Sequence, residues 1–302
     1  RDAVLERKPR GEQRAGRVAH AAYVAGAAAA VAAASVVLAT AFAFGRAGDP
    51  GGATWVYAVN AVAALAVAWR WRHEAAAWIG SGLMLAAFVQ AFVFLPVPAL
   101  ASGWRIALLA HASVATALAW SGRSFARPMV GSALAGSLVA ALLVAAGTAT
   151  TTAALLAVQA LWLAVVWLAL AWLGGWPVLF SAFQGALAAA VAFGAGAAIE
   201  GRPWFVAAPD PWAEPRTIQT VGIALALLNG VWVVVRIVLR RTGTSPKALT
   251  LLNPPWPTPD RVLGWVVLGA AAWLAVGATG PGVVRELAAL GGPAAGGPEA
   301  GH

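Results

Sequence analysis

Residues 153–199 form the feature that most constrains what this chain can fold into. The stretch is almost wholly apolar, contains no Asp, Glu, Lys, Arg or His, and is interrupted only by Gly174-Gly175-Trp176-Pro177. As a single helix it would be about 70 Å long, whereas the hydrocarbon core of a bilayer is about 30 Å thick. The sequence therefore predicts two membrane-spanning helices that lie antiparallel and are joined by a tight turn at residues 174–177.

The rest of the chain has the same apolar character. Hydrophobic residues make up 61% of its 302 residues and charged residues only 10%, whereas a soluble domain carries roughly 25% charged residues. The composition predicts an all-α fold, a polytopic transmembrane helix bundle. The absence of Cys excludes disulfides, thiolate metal sites and Cys nucleophiles.

Nine apolar runs are long enough to be counted as membrane spans. They cover residues 18–45, 54–70, 75–95, 104–121, 129–147, the two halves of 153–199, 217–239 and 262–280. With the N-terminus in the cytoplasm, fifteen of the twenty Lys and Arg residues fall on the inner side and five on the outer side. Because cytoplasmic loops carry an excess of Lys and Arg, we predict an N-terminus inside, a C-terminus outside and a location in a bacterial inner membrane.

The chain divides into three parts by composition. We predict a basic cytoplasmic segment over residues 1–17, the transmembrane bundle over 18–290 and a flexible Gly/Pro/Ala tail or linker over 291–302. The linker-like end suggests processing or excision from a longer polypeptide. The net charge of +9 is distributed over the ends of apolar runs instead of one soluble face, so we expect lipid and other membrane subunits as partners, and no nucleic acid.

No motif for catalysis is recognisable. The chain lacks a phosphate loop, a zincin helix, a Ser nucleophile elbow and a dinucleotide fingerprint, which favours a protein that is not an enzyme. The interiors of the predicted spans also contain no Asp or Glu. Proton- and sodium-coupled transporters usually need an intramembrane carboxylate, so this absence argues against a pump or antiporter.

Four neutral polar residues lie at similar predicted depths within their spans. Each is six or seven residues from the predicted outer end of its span, which corresponds to roughly 9–11 Å below the outer surface. We predict that they share a polar layer or an outward-opening cavity. The alternative is that each bonds separately across a helix pair. The four residues are Asn60, Gln90, His111 and Gln159.

Three histidines are candidates for binding a haem or another tetrapyrrole. His20 and His73 both lie near the predicted inner face and form a depth-matched pair, whereas His111 lies in the outer half and could serve as a single axial ligand. We favour no cofactor on this basis, and a tetrapyrrole remains the alternative.

Two Pro-rich loops carry aromatic residues that could contact partners. Trp204, Phe205 and Trp212 lie in the predicted outer loop, and Trp256 lies in the predicted inner loop. Pro lowers the entropic cost of ordering a loop, and Trp is a frequent anchor in protein interfaces. The alternative is ordinary anchoring of aromatic rings among the lipid headgroups.

The sequence thus leaves three functional hypotheses. The first is a non-catalytic membrane module that acts as an anchor or scaffold subunit of a larger assembly. The second is a transporter or lipid-handling conduit with a polar cavity on its outer side. The third is a pigment- or haem-binding membrane subunit. No resemblance to a known family is specific enough to choose among them.

Overall fold

The structure, a computed structural model, is entirely helical in its regular elements over the residues that it describes. These are residues 10–95, 103–121, 126–147 and 151–242, together with 248, 250, 251, 259, 261–266 and 269. The helices are α1 Arg10–Leu38, α2 Pro50–Trp71, α3 Glu74–Val89, α4 Gly103–Trp120, α5 Ala126–Ala146, α6 Ala153–Gly174, α7 Pro177–Ile199, α8 Pro203–Ala207 and α9 Pro215–Arg241. A wider, π-helical turn extends α1 over Ala39–Ala43 and α3 over Gln90–Phe94.

Seven of the described helices are long and apolar enough to cross a membrane. They are α1 and α3 with their π-helical turns, α2, α5, α6, α7 and α9. The chain is therefore an integral membrane protein with an all-α, polytopic helical fold, as the sequence predicts. Helix α4 occupies the position of a predicted span but is not among the seven, because Arg105 and His111 make it less apolar. The predicted ninth span, 262–280, lies mostly outside the described residues, and the inside-to-outside orientation stays a prediction.

The chain divides into two compact units, Arg1–Leu143 and Val144–His302. In the first unit, α2 and α3 form a hairpin whose turn is made by Arg72, in the left-handed region at φ 57°, and His73. Helix α5 packs against both α3 and α4. A Cβ at Gly131 of α5 would lie 2.9 Å from the ring of Trp78 of α3, and a Cβ at Gly136 would lie 3.2 Å from the ring of His111 of α4.

In the second unit, the predicted turn between the two central helices is confirmed. Helix α6 ends at Gly174, Gly175 adopts the left-handed conformation with φ 66°, and α7 begins at Pro177. This conformation costs Gly little, and Pro is well suited to the first turn of a helix because it lacks the N–H that would be unpaired there. At the far end of the hairpin, the Glu200 carboxylate accepts a hydrogen bond of 2.9 Å from the Ala153 N–H. The two helices are therefore antiparallel neighbours joined at both ends.

Helix α9 packs against α7 through an aromatic cluster. The Trp232 ring of α9 lies 6.1 Å from the ring of Phe180 and 5.8 Å from the ring of Phe183, in edge-on orientations that aromatic pairs prefer. Away from this contact, large aliphatic side chains on α9 such as Leu227 and Val234 are exposed. An apolar outer surface is what a helix needs when it faces lipid.

Candidate functional site

The most extensive polar contact of the first unit joins the two π-helical turns. Gln90 begins the turn that follows α3 and is 0% exposed. Its Oε1 accepts a hydrogen bond of 2.9 Å from the Gly45 N–H, and its Nε2 donates to the Gly45 carbonyl at 3.0 Å and to the Ala43 carbonyl at 3.5 Å. One amide side chain therefore satisfies the backbone where the chain leaves α1, at a point where Gly45 has φ 81°.

Aromatic rings surround this contact. The Phe44 ring lies edge-on to Tyr57 at 5.9 Å and to Phe94 at 5.4 Å. The Tyr57 hydroxyl is 2.7 Å from the Thr40 hydroxyl, and it is buried. Since π-helical turns occur often at functional positions, this region is a candidate site. Here, however, the polar groups are bonded to one another and to the backbone.

A second polar contact links three helices of the same unit. His111 of α4 is 1% exposed, and its Nε2 lies 2.7 Å from the hydroxyl of Ser132 of α5. The Ser132 hydroxyl is in turn hydrogen-bonded to the hydroxyl of Ser81 of α3. The His111 Nδ1 has no hydrogen-bonding partner among the described residues. A Ser–His pair with no group to orient the imidazole lacks the third member that activated serine nucleophiles normally use. We therefore interpret this series of hydrogen bonds as a link between the three helices.

The third polar contact involves Asn60 and joins α1 to α2. Its Nδ2 donates to the Ser35 hydroxyl at 3.2 Å and to the Val56 carbonyl at 2.9 Å. Asn60 contacts the first helix at Ser35, and Gln90 contacts it at Ala43. These two contact points are eight residues apart, or roughly 12 Å along the helix. Asn60 and Gln90 therefore contact the first helix at different heights, and a shared depth in the membrane stays a prediction. Helix α2 begins at Pro50, four residues before the predicted start of the span.

The four residues of the predicted polar layer thus have different surroundings. Asn60, Gln90 and His111 have separate hydrogen-bonding partners, and no hydrogen bond joins any two of the three. Gln159 is 1% exposed within α6 and belongs to the second unit, so its place in a shared layer stays a prediction. The sequence analysis missed Ser81 and Ser132, because a lone Ser in a helix commonly bonds to its own backbone and gives no signal of a partner.

The other two histidine candidates are on the surface of the first unit. His20 lies on α1 and His73 immediately precedes α3, and both side chains are exposed. No group of three or more His, Cys, Asp or Glu side chains able to hold a metal ion occurs within the described part of the chain. His111 could present only Nδ1 to a ligand without losing Ser132.

The aromatic residues of the predicted outer loop form a small folded cluster. Phe205 is 8% exposed and lies edge-on to Trp204 at 6.0 Å and to Trp212 at 5.4 Å. The Arg216 guanidinium lies over the Trp204 ring at 5.9 Å. Phe205 therefore forms the buried centre of the cluster, whereas Trp212 keeps an exposed face. Contact of this loop with a partner stays a prediction. Trp256 lies outside the described residues.

No protein family, curated protein or solved structure matches this chain. The helices and contacts of the chain itself are therefore the basis for its function.

Proposed function

We propose that this protein is a non-catalytic integral membrane module, an anchor or scaffold subunit that docks other membrane helices on α1. The proposal includes a location in a bacterial inner membrane with the N-terminus in the cytoplasm. The surface of α1 carries this proposal, because it differs from the surface of the other peripheral helix, α9.

Helix α1 is the least covered of the long helices of the first unit. Between residues 21 and 38 only Ala32, Ser35 and Val36 are half-buried, and all the others are exposed. Eleven of the 21 residues from 18 to 38 are Ala. In membranes, helices associate through small residues that let their backbones approach closely, because lipid tails offer no hydrophobic driving force between helices. An exposed alanine-rich helix is therefore better suited to another helix than to lipid.

Helix α9 provides the contrast. Only Thr217 and Trp232 of α9 are buried, although many of its other residues are half-buried. Of the 23 residues from 217 to 239, 13 are Val, Ile or Leu and only two are Ala. Branched aliphatic side chains fill a lipid-facing surface well. The two helices thus differ in composition, since the side chains of α9 suit acyl chains and those of α1 suit close helix packing.

A shallow groove marks the place where a partner helix would lie. It runs between α1 and α2, has a volume of about 650 Å³ and is lined mainly by apolar side chains. The lining residues are Tyr23, Val24, Ala27, Ala28, Val31, Ala32, Ser35, Val59 and Asn60. Ser35 donates to the Ala32 carbonyl and Asn60 donates to Ser35 and to the Val56 carbonyl, so the donors of these two side chains are already bonded before a partner helix arrives.

The conduit hypothesis has less support from the contacts. It requires polar side chains that face a common water-filled space. Gln90 is bonded to the backbone at Gly45, and His111 is bonded to Ser132. These contacts are what helix-stabilising polar groups make, and they favour the scaffold over the conduit.

Photocrosslinking in native membranes tests the proposal. A photoreactive phenylalanine analogue placed at Ala28, in the groove on α1, is expected to give adducts with one other membrane protein. The same analogue at Leu227, an exposed position on α9, is expected to give lipid adducts. Gel electrophoresis and mass spectrometry of the adducts distinguish protein from lipid products.

The two positions form a matched pair because both are exposed in long apolar helices. Lipid adducts of equal yield at both positions would contradict the docking role of α1. Adducts at Ala28 with a second copy of this chain alone would also contradict it, since they would make α1 a self-association surface.

A further inference from the structure

A basic cleft lies at one end of α9, in the second unit. It has a volume of about 380 Å³ and is formed between α9 and the helical residues 261–266. Its lining contains three arginines and, among the described residues, no acidic side chain. The lining residues are Asn229, Val233, Arg236, Ile237, Arg240, Arg261 and Gly264.

The spacing along α9 places the polar residues on one side of the helix. Arg236 follows Asn229 by seven residues, and Arg240 follows Arg236 by four. Val233 lies between Asn229 and Arg236, four residues after the first and three before the second. Residues three, four and seven apart share a helix face. The two arginines of α9 are therefore stacked one turn apart, with Asn229 two turns deeper on the same face.

A glycine brings the opposite wall close to α9. A Cβ on Gly264 would lie 3.2 Å from the Asn229 Nδ2, tighter than an ordinary contact. Gly264 thus allows the segment 261–266 to approach α9 at the level of Asn229. Arg261 is three residues before Gly264, and it lines the cleft opposite Arg236 and Arg240.

The cleft concentrates positive charge on two neighbouring segments. Like charges four residues apart on a helix destabilise it, and the cleft adds a third cation from another segment. Arg236 is half-buried, whereas Arg240 and Arg261 are exposed. Guanidinium groups bind phosphate through pairs of parallel N–H···O bonds, and Arg is preferred for such recognition.

We propose that this cleft binds a phosphate group, with Arg236, Arg240 and Arg261 as its ligands. Basic clefts between membrane helices on the cytoplasmic side typically take the headgroups of anionic lipids. The predicted topology places this end of α9 on that side. A phosphodiester of an anionic lipid and a free phosphate present the same oxygens, so the source is decided by experiment. The proposal is independent of docking on α1.

Native mass spectrometry of the full chain, released from nanodiscs, measures the ligand directly. We expect phosphatidylglycerol to be retained from nanodiscs that mix it with phosphatidylcholine, and phosphatidylcholine not to be retained from nanodiscs of that lipid alone. The double variant Arg236→Gln/Arg240→Gln is expected to weaken retention about tenfold or more, since hydrogen bonds to charged groups are among the strongest. Arg261→Gln alone is expected to weaken it in the same direction.

Arg241→Gln is the matched control. Arg241 is exposed at the same end of α9 but does not line the cleft, so its loss removes one positive charge, as Arg261→Gln does, without touching the site. An equal loss of retention in Arg241→Gln and in the double variant would show diffuse surface attraction and overturn the proposal. If the double variant does not fold, lipid retention by Arg261→Gln is compared with lipid retention by Arg241→Gln.

Inorganic phosphate distinguishes the two sources. Thermal stability and lipid retention are both measured in the unmodified chain and in Arg261→Gln. If phosphate protects only the unmodified chain against thermal unfolding and phosphatidylglycerol is not retained, the ligand is soluble. If the lipid is retained and phosphate has no effect, the ligand is a lipid headgroup. If neither binds in an arginine-dependent manner, the proposal is wrong.

Discussion

Replacing Gln90 with Leu is expected to lower the free energy of unfolding by about 2–6 kcal/mol, because it leaves two buried backbone groups unsatisfied at a cost of about 1–3 kcal/mol each. Leu matches Gln in approximate size but can neither accept from the Gly45 N–H nor donate to the Gly45 carbonyl. The side chain is fully buried, so water cannot replace these bonds. Unfolding by SDS in mixed micelles measures the change.

The control for this substitution is Gln219→Leu. Gln219 lies on α9 with its side chain exposed, so the same chemical change there is expected to alter stability by less than about 0.5 kcal/mol. A Gln90→Leu variant as stable as the unmodified chain would show that the amide does not hold the two π-helical turns together.

Replacing Gly103 with Ala is expected to cost about 1–3 kcal/mol or more, in the manner of overpacked cores. Gly103 is the first residue of α4 and is buried. A Cβ there would overlap the carbonyl oxygen of Phe92 and lie 3.2 Å from the Cα of Val93. Both are backbone atoms of the π-helical turn after α3, so the clash cannot be relieved by rotating a side chain. The same SDS titration reports the loss.

Gly82→Ala is the matched variant for this prediction. A Cβ at Gly82, which is exposed on α3, would meet nothing within 4 Å. Helix propensity favours Ala over Gly, so stability is expected to be unchanged or raised by up to about 1 kcal/mol. A Gly103→Ala variant that behaves like Gly82→Ala would show that α4 does not approach the π-helical turn closely.

The parts of the fold that the sequence predicts are those set by local chemistry. The turn at Gly175 and Pro177 could be predicted because one residue tolerates positive φ and the other begins a helix. The apolar runs on either side identify the spans because a helix must be about 20 residues long to cross a bilayer. These signals lie within one stretch of the sequence and do not depend on a distant partner.

The candidate sites depended on contacts between distant residues, which a single sequence does not contain. Helix α2 starts at Pro50 and not at residue 54 as predicted, because Asp49 accepts a hydrogen bond of 3.0 Å from the Gly51 N–H and caps the helix there. Nothing near Gln90 predicts that its amide reaches Gly45, 45 residues earlier. The basic cleft likewise joins Arg236 and Arg261, which are 25 residues apart in the sequence, so no local pattern predicts that they lie together.

A double-mutant cycle between Gln90→Leu and His111→Leu tests most directly whether the buried polar residues are separate helix links or one shared environment. Residues with no shared partner usually give additive changes within about 0.5 kcal/mol. The cycle between His111→Leu and Ser132→Ala, whose side chains are 2.7 Å apart, supplies a coupled reference. We expect the free energies of unfolding for Gln90 and His111 to add, and those for His111 and Ser132 to be coupled. Coupling between Gln90 and His111 as strong as in the reference would contradict the scaffold interpretation and restore the conduit.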